Sequence, residues 1–149
     1  MDLLEKIQIL KNHFNVKNYK RVIDGATKLL KKSPKNVYLL NLTGMSYQGL
    51  SQHNNSIKLF KEALKYGPNN TAVLNNYANS IKAIGKLELS QELYEKTIKL
   101  DPGYINAYNN YANLKTLVND YQGAIKLYSK ALELLKSKQN PPKNSIVGI

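Results

Sequence analysis

The sequence predicts an all-α fold: a right-handed superhelical stack of four helix-turn-helix hairpins. Three observations predict it. Pro34, Pro68 and Pro102 recur every 34 residues. Small and aromatic landmark residues keep the same register between them. Each unit also carries two helical patterns of about 14 residues, split by a short polar turn. With each Pro at position 32, the repeats are 3–36, 37–70, 71–104 and 105–138, followed by a tail at 139–149.

Repeat 1 opens with Asp2 three residues before Glu5, ahead of Ile7, Leu10 and Phe14. That order marks a capped helix start. At positions 8 and 20, where the other repeats are small, this unit carries Leu10 and Val22, which predicts a wider hairpin. Atypical terminal units are expected because one side of them has no neighbour. In repeats 2 to 4, position 8 is Gly44, Ala78 and Ala112, and position 20 is Ser56, Ser90 and Ala124. These small residues predict a close helix crossing in each hairpin, with Gly44 facing Ser56. Position 24 is Phe60, Tyr94 and Tyr128, and position 28 is Leu64, Ile98 and Leu132, which fill the space towards neighbouring helices.

Gly85 and Asn119 lie in the turns, where a helix end needs the left-handed backbone conformation. Each Pro ends the second helix and resets the chain. One such hairpin cannot bury its apolar stripe, but stacked hairpins share a continuous core. Repeat 4 has Lys136 in place of the Pro, and the tail QNPPKNSIVGI is short and broken by Pro. Its last helix, with Ile125, Tyr128, Leu132 and Leu135, would expose a stacking face. Three coverings are expected for it: Ile146, Val147 and Ile149 of the tail, a second copy, or further chain.

Composition narrows the function. With 149 residues, 42% hydrophobic and 21% charged, the chain has a globular balance. It has no Cys, which removes disulfides, thiolate zinc sites and a cysteine nucleophile. Its start carries Asp2 and Glu5 and no basic segment before an apolar run, unlike a signal peptide. No stretch approaches the ~18 apolar residues of a membrane span. A cytoplasmic protein without membrane insertion is expected. The formal net charge is +12, yet of 22 basic residues only Arg21 is Arg. Arg is the side chain that forks onto phosphate and guanine, so no specific nucleic-acid partner is expected.

Catalysis finds little support. His13 occupies position 11 of repeat 1 and His53 sits beside a turn, neither spaced to set a base against a nucleophile. The 10 acidic residues are scattered, so no carboxylate pair or metal cluster forms. No Gly-rich loop would cradle phosphate. The expectation is no catalytic residue, no metal and no cofactor.

The register resembles the tetratricopeptide repeat, which runs bulky-x2-Leu-Gly-x2-Tyr, then Ala-x3-Phe, then Pro. Repeat 2 carries it as Leu40, Thr43, Gly44, Tyr47, Ser56, Phe60 and Pro68. Repeat 3 carries Leu74, Tyr77, Ala78, Ile81, Ser90, Tyr94 and Pro102. Repeat 4 carries Tyr108, Tyr111, Ala112, Lys115, Ala124 and Tyr128. The resemblance spans residues 3–138 and implies a module for protein–protein interaction, with a protein or peptide held on the concave face of the first helices. Positions 2, 5, 6, 9, 12 and 13 face that groove in the family. Here they place Asn75, Asn76 and Asn79 in repeat 3, and Asn106, Asn109, Asn110 and Asn113 in repeat 4. Repeats 1 and 2 contribute Leu4, Ile7, Phe14, Tyr38, Leu42 and Met45, so the groove is expected to be apolar at one end and amide-rich at the other.

Two finer likenesses concern the ligand. Domains that clamp acidic chaperone C-termini use Lys and Arg around two Asn. Asn79 and Asn110 match that pair, but Asn75 stands in the Lys slot. The segments Asn76-Tyr77-Ala78-Asn79 and Asn110-Tyr111-Ala112-Asn113 are similar to the repeats of protein O-linked N-acetylglucosamine transferases. There an Asn ladder holds the backbone of an extended polypeptide. The resemblance therefore implies an extended polypeptide ligand. It leaves two alternatives, a substrate-presenting region of a larger glycosyl- or sulfotransferase and a self-assembling scaffold joined through the C-terminal repeat.

Overall fold

A computed structural model describes residues 1–141, in which every regular element is a helix; the expected covering of the last helix by Ile146, Val147 and Ile149 lies outside the described residues. The eight helices are α1 (Leu3–Asn15), α2 (Tyr19–Lys32), α3 (Val37–Gly49), α4 (His53–Tyr66), α5 (Thr71–Ala83), α6 (Leu87–Leu100), α7 (Ile105–Leu117) and α8 (Tyr121–Gln139). They pair as four hairpins stacked in chain order. The backbones of the first helices of successive hairpins approach one another (α1 with α3, α3 with α5, α5 with α7), whereas those of the second helices stay farther apart. The odd-numbered helices therefore line the inner, concave side and the even-numbered helices splay around the outside.

Local chemistry sets the boundaries. At the start of α1 the Glu5 amide donates to Asp2 Oδ1 at 2.8 Å and the Asp2 amide donates to Glu5 Oε2 at 2.9 Å, a reciprocal capping box. Asn36 caps α3 by accepting from the Leu39 amide, and Asn70 caps α5 by accepting from the Val73 amide. Within each hairpin the turn passes through one residue of positive φ: Lys17 (61°), Ser51 (58°), Gly85 (84°) and Asn119 (62°). All four share position 15. Gly85 and Asn119 suit that conformation, and Lys17 and Ser51 adopt it because the hairpin geometry demands it. Pro34, Pro68 and Pro102 follow the end caps Ser33, Gly67 and Asp101, whose extended φ values of −133°, −138° and −137° are those favoured before Pro. With Lys136 in the Pro slot nothing stops α8, which runs on to Gln139.

The core consists of one apolar cluster at each junction between hairpins. Leu10, Val22, Ala26, Leu39 and Leu42 join repeats 1 and 2. Leu40, Ile57, Phe60, Ala63, Val73, Tyr77 and Ile81 join repeats 2 and 3. Ala78, Tyr94, Tyr111 and Leu114 join repeats 3 and 4.

Two expectations about hairpin packing change. The nearest neighbour of Gly44 across the hairpin is Phe60 rather than Ser56. A Cβ placed on Gly44 would lie 2.5 Å from Phe60 Cε1, so its missing side chain makes room for the aromatic ring. Ser56 turns instead to the next repeat, its hydroxyl 2.6 Å from Ser80 Oγ. In repeat 1, α1 and α2 do pack less closely than the helices of the other hairpins. The large residue at position 8 is nonetheless accommodated. A Cβ on Gly25 would lie 2.5 Å from Leu10 Cδ2. Gly25 is position 23, where the other repeats carry Leu59, Leu93 and Leu127. Repeat 1 has exchanged its large and small partners across the hairpin.

Candidate ligand groove

A cavity of about 310 Å³ opens on the concave side. Its wall takes Lys11, Phe14 and Asn15 from α1, and Tyr38, Asn41, Leu42 and Met45 from α3. Ala72 and Asn76 come from α5, and Tyr104 and Asn106 from the start of α7. All four hairpins therefore contribute to one site. Tyr104 stands at the position where Asn36 and Asn70 cap the preceding inner helices, and α7 has no side-chain cap. A cap of that kind stabilises a helix by ~1 kcal/mol; here the position carries an aromatic ring on the cavity wall instead.

Amides tie the inner helices together. Asn76 Nδ2 donates to Asn41 Oδ1 at 3.1 Å, and Asn110 Nδ2 donates to Asn75 Oδ1 at 3.1 Å. Both bonds join position 5 of one repeat to position 6 of the next. Gln48 Nε2 donates to the Asn76 carbonyl at 2.6 Å and to Ser80 Oγ at 2.7 Å, adding a second tie between repeats 2 and 3. Position 9 does a different job. Asn79 Oδ1 accepts from the Tyr94 hydroxyl, and Asn113 Oδ1 accepts from the Tyr128 hydroxyl, each across its own hairpin. In repeat 2 the same two positions are Met45 and Phe60, an apolar pair needing no such bond. An amide stands at position 9 where position 24 presents a hydroxyl.

The expected site residues are thus dispersed among three roles. Tyr38, Leu42, Met45, Asn76 and Asn106 meet at the cavity. Asn75 is buried, only 3% exposed, and does not reach the groove surface. Asn79, Asn110 and Asn113 are engaged by Tyr94, Asn75 and Tyr128, and Asn109 lies half-buried on α7 outside the cavity wall. Apolar and amide groups mix around one cavity rather than dividing the groove into two ends. Lys11, Asn15, Asn41 and Tyr104 were not singled out from the sequence. The first three occupy groove-facing positions 9, 13 and 5, and the break in the series Asn36, Asn70, Tyr104 was a readable signal for the last.

Among the described residues Lys11 is the one cation on the cavity wall, so charge is sparse there. Further along α5, burial pushes the Lys82 ammonium below its ordinary value. On α7, Lys115 Nζ lies 3.3 Å from Asp120 Oδ2 and 5.3 Å from the Tyr111 ring centroid. The Gly123 amide, followed by Lys115, holds the Asp120 carboxyl below the usual carboxylate range. Tyr94 stacks on Tyr111, and burial pushes its hydroxyl up to about 12. Tyr111 is raised further by burial and by donating to Glu95 Oε1 at 2.6 Å. Lys58, Lys61 and Lys65 of α4, Lys96 and Lys99 of α6, and Lys126 of α8 are exposed and take no part in the cavity wall.

A second cavity, of about 380 Å³, lies at the N-terminal end of the stack beside Gly25. Ile9, Leu10 and Leu29 form its floor, and Lys6, Lys28 and Lys32 surround it. Among the described residues no helix is long and apolar enough to cross a membrane.

Known proteins were compared with this chain. A family model described as the N-terminal TPR repeats region of Psidin matches residues 6–142. No curated protein sequence matches significantly. Among solved structures, the MamA 41-end chain from Desulfovibrio magneticus RS-1 is similar with a TM-score of 0.79 and 19% identity, over 92% of this chain and 77% of that one. A further MamA crystal structure gives a TM-score of 0.77 and 19% identity, over 90% of this chain and 78% of that one. The first TPR of Spaghetti (RPAP3) bound to the HSP90 peptide SRMEEVD gives 0.72 and 21%, over 78% of this chain and 92% of that one. At these identities the likeness is one of fold.

Proposed function

The chain belongs to the family of the Psidin N-terminal TPR repeats region, and on that premise we propose that it is a protein-interaction module holding an extended polypeptide in its concave groove. The observation that carries the reading is the cavity of about 310 Å³ to which all four hairpins contribute. Phe14, Tyr38, Leu42, Met45 and Tyr104 give it apolar walls for one or two anchor side chains. Asn15 and Asn106 stand among them with amides that match the donor and acceptor of a peptide bond, and Asn76, whose Nδ2 donates to Asn41, keeps its Oδ1 as an acceptor. Such groups hold backbone whatever the partner's side chains are. With Lys11 as the sole cation on the wall among the described residues, no cationic clamp favours an acidic terminus. Tetratricopeptide folds do accept peptides, as the RPAP3 domain bound to an HSP90 peptide illustrates.

Selection from a display library of unstructured peptides tests this reading. The peptides recovered are expected to share an aliphatic or aromatic anchor, without enrichment of acidic residues. Met45→Glu puts a charge among the apolar walls and is expected to weaken them at least tenfold, or about 1.4 kcal/mol. Peptides bound with unchanged affinity by that variant would remove the cavity from the account.

A further inference from the structure

We propose that the outer face of α8 is a second, separate interaction surface, and that its occupant is α8 of another copy of this chain, paired antiparallel in a closed two-fold dimer. Tyr121, Ile125, Tyr128, Leu132 and Leu135 are 40–58% exposed along one side of this helix. Their separations of four, three, four and three residues are the seam spacing of a helix that packs along a partner helix. Within the chain the equivalent face is always covered by a helix. Phe60 and Tyr94, the counterparts of Tyr128, are 0% exposed beneath the inner helix of the next hairpin, whereas Tyr128 is 40% exposed.

Charge decides which helix fits. Growth of the stack head to tail would lay α8 on α1 of the next copy. At the two α1 positions that would receive it stand Glu5 and Lys6, where α3 presents Leu39 and Leu40 and α5 presents Val73 and Leu74. Lys28 and Lys32 close the same end. They would confront Lys136 of α8, and like charges across a contact oppose it. The seam of α8 itself is bordered by Gln122, Ser129 and Lys136 on one side, while on the other Ala124 and Ala131 are buried within the hairpin. In a chain with formal net charge +12, this border is uncharged as far as Lys136 at its C-terminal end, which an antiparallel arrangement keeps apart from its copy. Antiparallel pairing places Lys136 of each copy near Gln122 of the other and sets the helix dipoles head to tail. The contact is self-complementary, so it closes at two copies and does not propagate.

The test is sedimentation equilibrium of the full chain up to about 200 µM, a range that reveals a Kd on the order of 10 µM. The mass is expected to rise from 16.9 kDa to twice that value and stop. Ile125→Glu with Leu132→Glu, at exposed positions, is expected to retain the helical circular dichroism and to raise the Kd at least a hundredfold. The chain has no Cys, so a single Ser129→Cys near the centre of the seam reports orientation. It should oxidise readily to a covalent dimer, while Lys138→Cys should not. A wild-type monomer throughout, a dimer that survives the double substitution, a mass that keeps growing, or equal cross-linking at both cysteines would each overturn the proposal. Peptide binding in the groove is unaffected by any of these outcomes.

Discussion

The exchange of Leu10 and Gly25 in repeat 1 can be reversed, and the energetics of doing so test the register directly. Leu10→Ala removes a buried side chain that borders an open cavity, so the loss falls at the lower end of the range for such changes, about 2 kcal/mol. Gly25→Leu puts a Cβ 2.5 Å from Leu10 Cδ2. Overpacking of this kind costs about 1–3 kcal/mol, offset by roughly 0.8 kcal/mol because Leu is the better helix former. The double variant carries the small-large arrangement of the other repeats and conserves volume. It is expected within about 0.5 kcal/mol of the wild type, giving a favourable coupling of about 2–3 kcal/mol. Urea unfolding followed by far-ultraviolet circular dichroism supplies the four stabilities. Additivity within about 0.5 kcal/mol would refute the exchange, because it would mean that the two side chains do not share one space.

Other consequences are separately measurable. Gly44→Leu drives a side chain into the Phe60 ring and is expected to cost about 1–3 kcal/mol; an unchanged melting temperature would disprove the contact. Ser51→Gly relieves a positive φ of 58° and is expected to stabilise by about 0.5–1 kcal/mol in thermal unfolding. Burial raises the Tyr94 hydroxyl from the ordinary ~10 to about 12, so the folded state holds this proton more tightly. Its contribution to stability is full below pH ~10 and is lost as pH rises towards about 12. Ultraviolet titration should show a late tyrosinate step that Tyr94→Phe removes. Nucleic acid should bind in the ~10⁻⁴–10⁻⁶ M range and release with salt, so sequence-selective binding that survives moderate salt would contradict the assignment of the outer lysines to a solvated face.

Much of the fold was legible because it repeats. A 34-residue period carried by Pro34, Pro68 and Pro102 reports helix ends that geometry imposes in every unit, and Gly85 and Asn119 point to the turn conformation. Lys17 and Ser51 share that conformation without a residue type that announces it, since tertiary packing overrides local preference there. In repeat 2 Gly44 lies nearest Phe60 and Ser56 meets Ser80 of the next repeat, whereas in repeat 3 position 20 does meet position 8, where Ser90 donates to the Ala78 carbonyl. The site was less legible. The segments around Asn76 and Asn110 signalled amides on the inner helices, but one dimension does not separate amides that face solvent from those that bond each other. Asn75 is buried against Asn110, and Asn79 answers Tyr94. That pairing is visible in the sequence only when position 9 is read together with position 24. Tyr104 showed itself only as the missing member of a capping series.

The account rests most heavily on the groove as the place where a polypeptide is held. Isotope-labelled protein titrated with a library-selected peptide, and read by two-dimensional NMR, tests it most directly. The side-chain amides of Asn41, Asn76 and Asn106 and the methyl of Met45 are expected to shift together and saturate, while Ile125 and Leu132 on α8 stay unmoved. Shifts confined to α8 or the outer helices, with the four groove residues silent, would contradict the account.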